Sequence, residues 1–248
     1  MLTLQRFPRL LNFLDMQTSH FECPFCGNNG LLLLMGADRF PVLQQLHVIG
    51  AGRRIARCPN CGSTDKERLV YAYLKEFEKI EEQSEANILH IAPEKNLQLL
   101  LMTNKGYIAG DAFLQNQEFS GKVIHMDICE TNFKDNYFDY IICNHVICDI
   151  KDDKRAFAEI FRILKPGGVA ILQVPITKIS PTIENPNVKT KREREIAYGY
   201  GYHERIYNDI DYIKRSEAVG FKVDRTNISN RYKSYGLNPE EDIYVFRK

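Results

Sequence analysis

The chain has 248 residues, 33 Lys and Arg against 32 Asp and Glu, seven cysteines and no tryptophan. That length holds one large domain or two modest ones, and 44% hydrophobic with 26% charged residues excludes wholesale disorder. A net charge of +1 excludes a strongly cationic nucleic-acid binder and leaves room only for a local basic patch.

At the N-terminus Leu10, Leu11 and Leu14 are interrupted by Arg9, Asn12 and Asp15, and no small-residue cleavage site follows, so we read no signal peptide. The apolar run Leu31–Gly36 falls far short of the roughly 20 residues that span a bilayer. Seven cysteines, odd in number and unevenly spread, fit the reduced thiols of a cytoplasmic protein better than a disulfide framework.

Four of the cysteines repeat one pattern, Cys23-Pro24-Phe25-Cys26-Gly27 and Cys58-Pro59-Asn60-Cys61-Gly62. Two residues between thiols let one tight turn aim both sulfurs at a tetrahedral zinc ion, at about 2.3 Å each. Proline presets the turn and glycine tolerates its sharp exit. The competing reading is redox chemistry, but one C-x-x-C would suffice for that. His20 is a further candidate ligand, more simply a surface histidine. The 31 residues between the pairs have room for a hairpin, Leu31–Met35 with Val42–Ile49. A Cys₄ site has no open position, so Cys23, Cys26, Cys58 and Cys61 are expected to hold structural Zn²⁺. Cys129, Cys143 and Cys148 lack metal spacing among themselves, and Cys143 reads as a core thiol.

Thr64 and Glu67 have the capping-box spacing for a helix over Asp65–Lys79, and the polar stretch Lys79–Ala86 reads as a boundary. The expected organisation is a zinc-ribbon-like unit with a linking helix over residues 1–83, then a second unit over residues 84–248. In the second unit strands at Asn87–Ala92, Gly106–Gly110, Lys122–Asp127, Phe138–Asn144 and Val169–Val174 alternate with helical stretches. One helix starts at Asp152 or Asp153 and stops at Lys165-Pro166-Gly167-Gly168; another covers Asn208–Val219. Phe221–Ile228 and Asp242–Phe246 close the chain as an antiparallel pair. The fold class is therefore α/β, a Rossmann-like doubly wound, mostly parallel seven-stranded sheet with a C-terminal antiparallel hairpin.

The run Asp127-Ile128, then Phe138-Asp139-Tyr140-Ile141, then Glu159-Ile160-Phe161-Arg162-Ile163-Leu164-Lys165-Pro166-Gly167-Gly168 resembles the class I S-adenosylmethionine (SAM) dependent methyltransferases. The resemblance covers about Asn87–Lys248. Leu89-His90-Ile91-Ala92-Pro93-Glu94 with the second cysteine pair resembles a narrower, type 11-like bacterial branch with an N-terminal zinc knuckle and an H-I-A-P-E first motif.

Ligands of such sheets bind outside the carboxyl ends of the strands. Asp111 ends the second strand, where a carboxylate can accept both ribose hydroxyls. The resemblance implies Asp127 for the adenine amino group, Ile128 against the ring, and Asn144 with His145 beside the sulfonium. The first loop departs from the family's glycine-rich pattern. It reads Ile91-Ala92-Pro93-Glu94, with His90 replacing the usual acidic residue. Glu94 is the candidate for the methionine ammonium, and His90 and Ala92 shape the loop.

The acceptor side is expected in Pro175–Tyr207, a segment with few regular signals. It carries Glu184, a charged run Lys189–Glu195 that reads as a solvated helical turn, Tyr198, Tyr200, Tyr202 and His203-Glu204-Arg205-Ile206-Tyr207. His203 and His145 are the candidate bases; for His203, tying the loop to the domain is the alternative. The leading expectation is methyl transfer to an oxygen or nitrogen of a small molecule or surface-glycan precursor, with SAM as cofactor. An RNA methyltransferase reading through the knuckle is a second expectation, resting on Arg53, Arg54 and Arg57. Against it, residues 1–64 carry six Lys/Arg and three Asp/Glu, a formal +3 that a four-thiolate zinc site reduces by two. A non-catalytic interaction protein with this fold is the third.

Overall fold

The computed structural model describes residues 21–36, 40–114 and 121–248. The N-terminal leucines and His20 lie outside the described residues. Leu33–Met35 (β1) pairs antiparallel with Arg54–Arg57 (β2), and Val42–Gln45 between them is one helical turn (α1). The expected hairpin partner Val42–Ile49 is thus not a strand. Pro41, at φ −68°, presets the helical turn, and β2 leads directly into the second cysteine pair. The β1–β2 ladder thereby draws the two knuckles together.

Asp65–Glu76 (α2) starts at the expected capping box: Thr64 and Glu67 satisfy each other's backbone N–H groups. Five parallel strands follow: Asn87–Ile91 (β3), Gly106–Asp111 (β4), Val123–His125 (β5), Phe138–Asn144 (β6) and Leu164–Gln173 (β7). Ile176–Thr177 (β8), Ile183–Glu184 (β9) and Arg205–Asn208 (β10) form a second, small sheet in the order β8-β10-β9. Lys222–Thr226 (β11) and Ile243–Arg247 (β12) return antiparallel to the main sheet, whose order is β11-β12-β7-β6-β3-β4-β5. This is the mostly parallel sheet with an antiparallel end that the sequence implied.

Side chains alternate across this sheet and split the core in two. Leu89, Ile91, Ile141, Cys143 and Leu172 face the helices Asp153–Ile163 and Asp209–Glu217. Ile88, Ile142, Ile171 and Val245 face α2 and the helix Lys95–Leu101 (α3). The linking helix α2 therefore shares its core with the sheet. A second tie is Arg68, fully buried, which donates to the carbonyls of Ser63, Ala56, Tyr235 and Gly236. One guanidinium thus fastens the cysteine unit to the loop before β12.

Three further expectations are corrected. Asp153–Ile163 (α4), N-capped by Asp152, ends before Lys165-Pro166-Gly167-Gly168, and that stretch lies inside β7. Pro166 drives Lys165 into extended backbone, and the β6–β7 register jumps from Phe138↔Leu164 to Tyr140↔Val169, so the glycines form a bulge. The Pro175–Tyr207 segment is more regular than expected. Besides the small sheet it holds Lys191–Tyr198 (α5), with a capping box from Thr190 and Glu193 and a left-handed Gly199 at its end. The charged run is thus a full helix, not a single turn. β5 is also shorter than the expected Lys122–Asp127, which puts Asp127 in a turn. Asp209–Glu217 (α6), capped by Asn208, follows β10 directly.

Candidate functional site

At the carboxyl end of β3 the chain needs a sharp exit and has no glycine. Ala92 supplies it in the left-handed region, φ 49°, donating its N–H to the Gly110 carbonyl at 2.8 Å. An L-residue there costs roughly 1–2 kcal/mol. Pro93 and Glu94 follow, and Glu94 is the N-cap residue of α3. His90, with no exposure, hydrogen-bonds Glu94 Oε2 through Nε2 (2.9 Å) and the Tyr107 hydroxyl through Nδ1 (3.0 Å). His90 thus aims Glu94. Burial alone would raise the Glu94 carboxyl; the His90 hydrogen bond, with Lys66 and Asn144 nearby, outweighs it and holds Glu94 below its ordinary range.

The neighbouring strand ends carry polar groups without protein partners. Asp111 is buried; its Oδ1 accepts from the Phe113 N–H at 2.8 Å, and its Oδ2 has no partner. Asn144, also buried, makes no hydrogen bond with either carboxamide atom. His145 is left-handed (φ 57°), its N–H donates to the Gln173 carbonyl, and its buried Nε2 is unpartnered. Burial, with Lys66, His203 and Arg54 close by, holds the His145 imidazole neutral well below its usual value. Buried polar atoms in folded proteins are almost always paired, so such a group at one strand edge marks a place for a ligand.

Asp127 lies exposed in its turn, with Oδ1 accepting from the Cys129 N–H at 2.8 Å. Ile128 is buried in the main core. These two sit one strand further out than Asp111.

The sequence concealed the other wall. Ile49 and Ile176 exchange backbone hydrogen bonds (2.8 and 3.1 Å), bringing the loop before β2 onto the strand ends. Gly50 arrives so closely that a Cβ there would stand 3.0 Å from Glu241 Oε1 and 3.4 Å from His145 Cε1. Arg54 is held by a two-pronged pair with Asp65 at 2.6 and 2.8 Å. Glu241 is buried with Oε1 unpartnered, and burial, reinforced by Asp65, pushes its carboxyl up to about 8. Glu67, read only as a capping residue, also accepts from the Asn96 N–H and side chain, joining α2 to the start of α3. Glu241 sits in Asn238-Pro239-Glu240-Glu241-Asp242, which carried no motif; only the tertiary contact reveals it.

The third wall comes from Pro175–Tyr207. The Glu204 N–H donates to the Cys148 carbonyl at 2.9 Å, setting His203 over the turn Ile147–Asp149. His203 Nε2 stands 3.7 Å from Asp149 Oδ1. Arg205 and Arg215 converge on Glu184, which lies with Asp153 in an ion network that anchors the segment. Both candidate bases, His145 and His203, therefore reach the same end of β6.

The four expected cysteines also converge. Cys23 Sγ lies 3.6 Å from Cys61 Sγ, and Cys26 Sγ 3.7 Å from Cys58 Sγ, with all four within 4.8 Å. Four thiolates at about 2.3 Å from one metal stand about 3.8 Å apart, so the set fits a tetrahedral site. Gly27 and Gly62 leave the knuckles at φ 68° and 76°.

Residues 107–172 match a family described as a methyltransferase domain, about a quarter of the chain. Among solved structures, the chain is similar to a SAM dependent methyltransferase from Archaeoglobus fulgidus (13% identity, 73% of this chain and 94% of that one, TM-score 0.49). It is also similar to the YcgJ protein of Bacillus subtilis (14%, 72% and 99%, 0.48) and to an S-adenosylmethionine dependent methyltransferase from Mesorhizobium loti (10%, 75% and 99%, 0.48). A search of the curated proteins gave no match. No helix among the described residues is long and apolar enough to cross a membrane.

Proposed function

We propose that the chain is a SAM-dependent methyltransferase acting on an oxygen or nitrogen of a small-molecule or surface-glycan-precursor acceptor. The observation that carries this reading is the row of buried, unpartnered polar atoms of Asp111, Asn144 and His145 at the carboxyl ends of β4 and β6, beside Glu94 at the end of β3. The matched stretch, residues 107–172, spans β4 to β7 and so contains most of that row.

In this reading Asp111 accepts the ribose hydroxyls and Glu94, kept ionised, pairs with the methionine ammonium. Asp127 takes the adenine amino group and Ile128 the ring's edge. His90 positions Glu94, and Ala92 turns the backbone out of the way as a glycine would. Asn144 and His145 border the reacting sulfur. When bound, SAM supplies a methyl carbon already activated by its sulfonium. The acceptor's lone pair forms the new bond as the carbon–sulfur bond breaks and sulfur keeps that pair. The protein's part is alignment and exclusion of water, with the acceptor's proton leaving towards His203 or His145.

Cys23, Cys26, Cys58 and Cys61 hold a structural zinc ion in a zinc-ribbon-like unit of about residues 1–83, with α2 as its link to residues 84–248. Calorimetry with SAM and its demethylated product tests the reading. Binding in the micromolar range, weakened in Asp111→Ala, is expected; no binding at millimolar ligand overturns it.

A further inference from the structure

The turn after β6 brings together a second set of metal-competent donors, of which the methyl-transfer reading uses only His203. The Cys148 thiol lies 3.5 Å from Asp149 Oδ1, and His203 Nε2 lies 3.7 Å from that same oxygen. One donor atom from each of the three residues lies within 4.8 Å of the others. A tetrahedral ion with bonds of about 2.0–2.3 Å to sulfur, nitrogen and oxygen requires donors about 3.3–3.7 Å apart. The two separations from Asp149 Oδ1 meet that requirement, and the third pair lies within 4.8 Å.

The ring of His203 is enclosed, and Tyr200 packs edge-on against it with centroids 5.1 Å apart. Its other nitrogen, Nδ1, is buried beside the Tyr198 carbonyl without completing a hydrogen bond. A carbonyl at the far nitrogen is the usual way a ligating imidazole is oriented. The Glu204–Cys148 backbone bond fixes the two segments against each other, so the donors sit on a cross-linked frame.

We propose that Cys148, Asp149 and His203 form a second divalent transition-metal site, occupied by zinc and open at its fourth position. The mixed set favours zinc over magnesium or calcium, which take oxygen ligands. One thiolate and one carboxylate neutralise a divalent ion. That balance matters because Lys66 acts on all three residues, and a neutral centre tolerates an ammonium where a bare cation would not.

Three protein ligands and one open position is the pattern of catalytic zinc. Asn144 and His145 immediately precede this turn. An acceptor hydroxyl or amine in the open position would be acidified there and release its proton towards His145 or solvent, His203 then serving as ligand in place of base. This catalytic role rests on the methyltransferase reading; the metal site itself does not.

The test is to strip the full-length chain of metal and reconstitute it with Co²⁺ under reducing conditions, following metal content and the visible spectrum. Two cobalt ions per chain are expected, one with the intense thiolate bands of a four-sulfur site and one with weaker, single-thiolate bands. Cys148→Ala and His203→Gln each remove the second ion, while the four-sulfur spectrum persists and reports that the fold is intact. A wild-type chain that takes up only the four-sulfur cobalt overturns the site, as does a second ion indifferent to both substitutions. The wild-type count decides even if a variant fails to fold. SAM calorimetry on the same samples separates failure of the metal site from failure of the methyltransferase reading.

Discussion

Glu241 should make the protein less stable as pH rises, and replacing it should reverse that. Its carboxyl is 5% exposed, with Oε1 unpartnered. Burial is the largest influence on it; Asp65 and Asp242 push in the same direction, Arg54 and Lys66 oppose them, and the folded group titrates at about 8 against 4.5 for the free side chain. Between those values the folded protein retains a proton that the unfolded chain has lost. Stability therefore falls from about pH 4.5 to about pH 8 and levels off above. At about 1.36 kcal/mol per pH unit the loss is roughly 3 kcal/mol at pH 7 and 4–5 kcal/mol at pH 8. Glu241→Gln preserves the neutral shape and removes the unfolded-state ionisation. Urea denaturation followed by circular dichroism at pH 5, 6, 7 and 8 should show the variant gaining on the wild type by about 1.4 kcal/mol per pH unit. A constant difference across pH refutes the reasoning. A variant less stable at pH 7 means that Arg54 and Lys66 hold Glu241 ionised instead. A destabilising acid beside His145 is the kind of group retained for activity, so the same variant should lose acceptor methylation while becoming harder to unfold.

Arg68→Ala should cost roughly 3–5 kcal/mol, because four carbonyls on both sides of the junction, two of them buried, lose their donor; denaturant titration reads it, and a loss under 1 kcal/mol refutes the staple. Asp111→Ala should weaken SAM binding about 10- to 100-fold by calorimetry while costing only about 1 kcal/mol of stability, since Oδ1 loses a single bond from the Phe113 N–H and Oδ2 has no protein partner. Removing zinc by chelation should expose residues 23–61 to limited proteolysis while the far-ultraviolet dichroism of the sheet persists, and added zinc should restore protection. Unchanged protection in the metal-free chain would mean the knuckles fold without an ion.

Local chemistry made part of this molecule legible. Phe138–Asn144 announces a doubly buried strand by its nearly continuous apolar run, and it lies at those bounds. Thr64 and Glu67 announce a helix start three residues apart, and the capping box is there. The cysteine pairs are equally local, since each turn is fixed by its own proline and glycine. Where a pattern had two readings, a neighbour decided. Val42–Ile49 has enough apolar residues for a strand, and Pro41 turned its start into a helix. Lys165-Pro166-Gly167-Gly168 does exclude helix, but as a bulge within β7 it does not end structure. Thr190-x-x-Glu193 carried the same signal as Thr64-x-x-Glu67 and was outweighed by its charged surroundings.

The candidate site divides along the same line. Asp111, Asn144 and Glu94 follow strand ends, and strand ends follow from periodicity. Gly50 reaches them through the Ile49–Ile176 bridge, where it meets Glu241, and His203 through the Glu204–Cys148 bond, contacts that join residues more than 50 positions apart. No window of sequence contains such a pair. The consequence concerns the acceptor. The loop before β2 reaches Glu241 and His145, and the segment after β8 reaches Asp149 through His203. Both therefore reach the end of β6. A rigid acceptor seated between them would contact the cysteine unit and the Pro175–Tyr207 segment at once. Selectivity should therefore respond to substitutions in both, and changes at Gly50 and at Tyr200 should be non-additive in acceptor KM although they lie in different units.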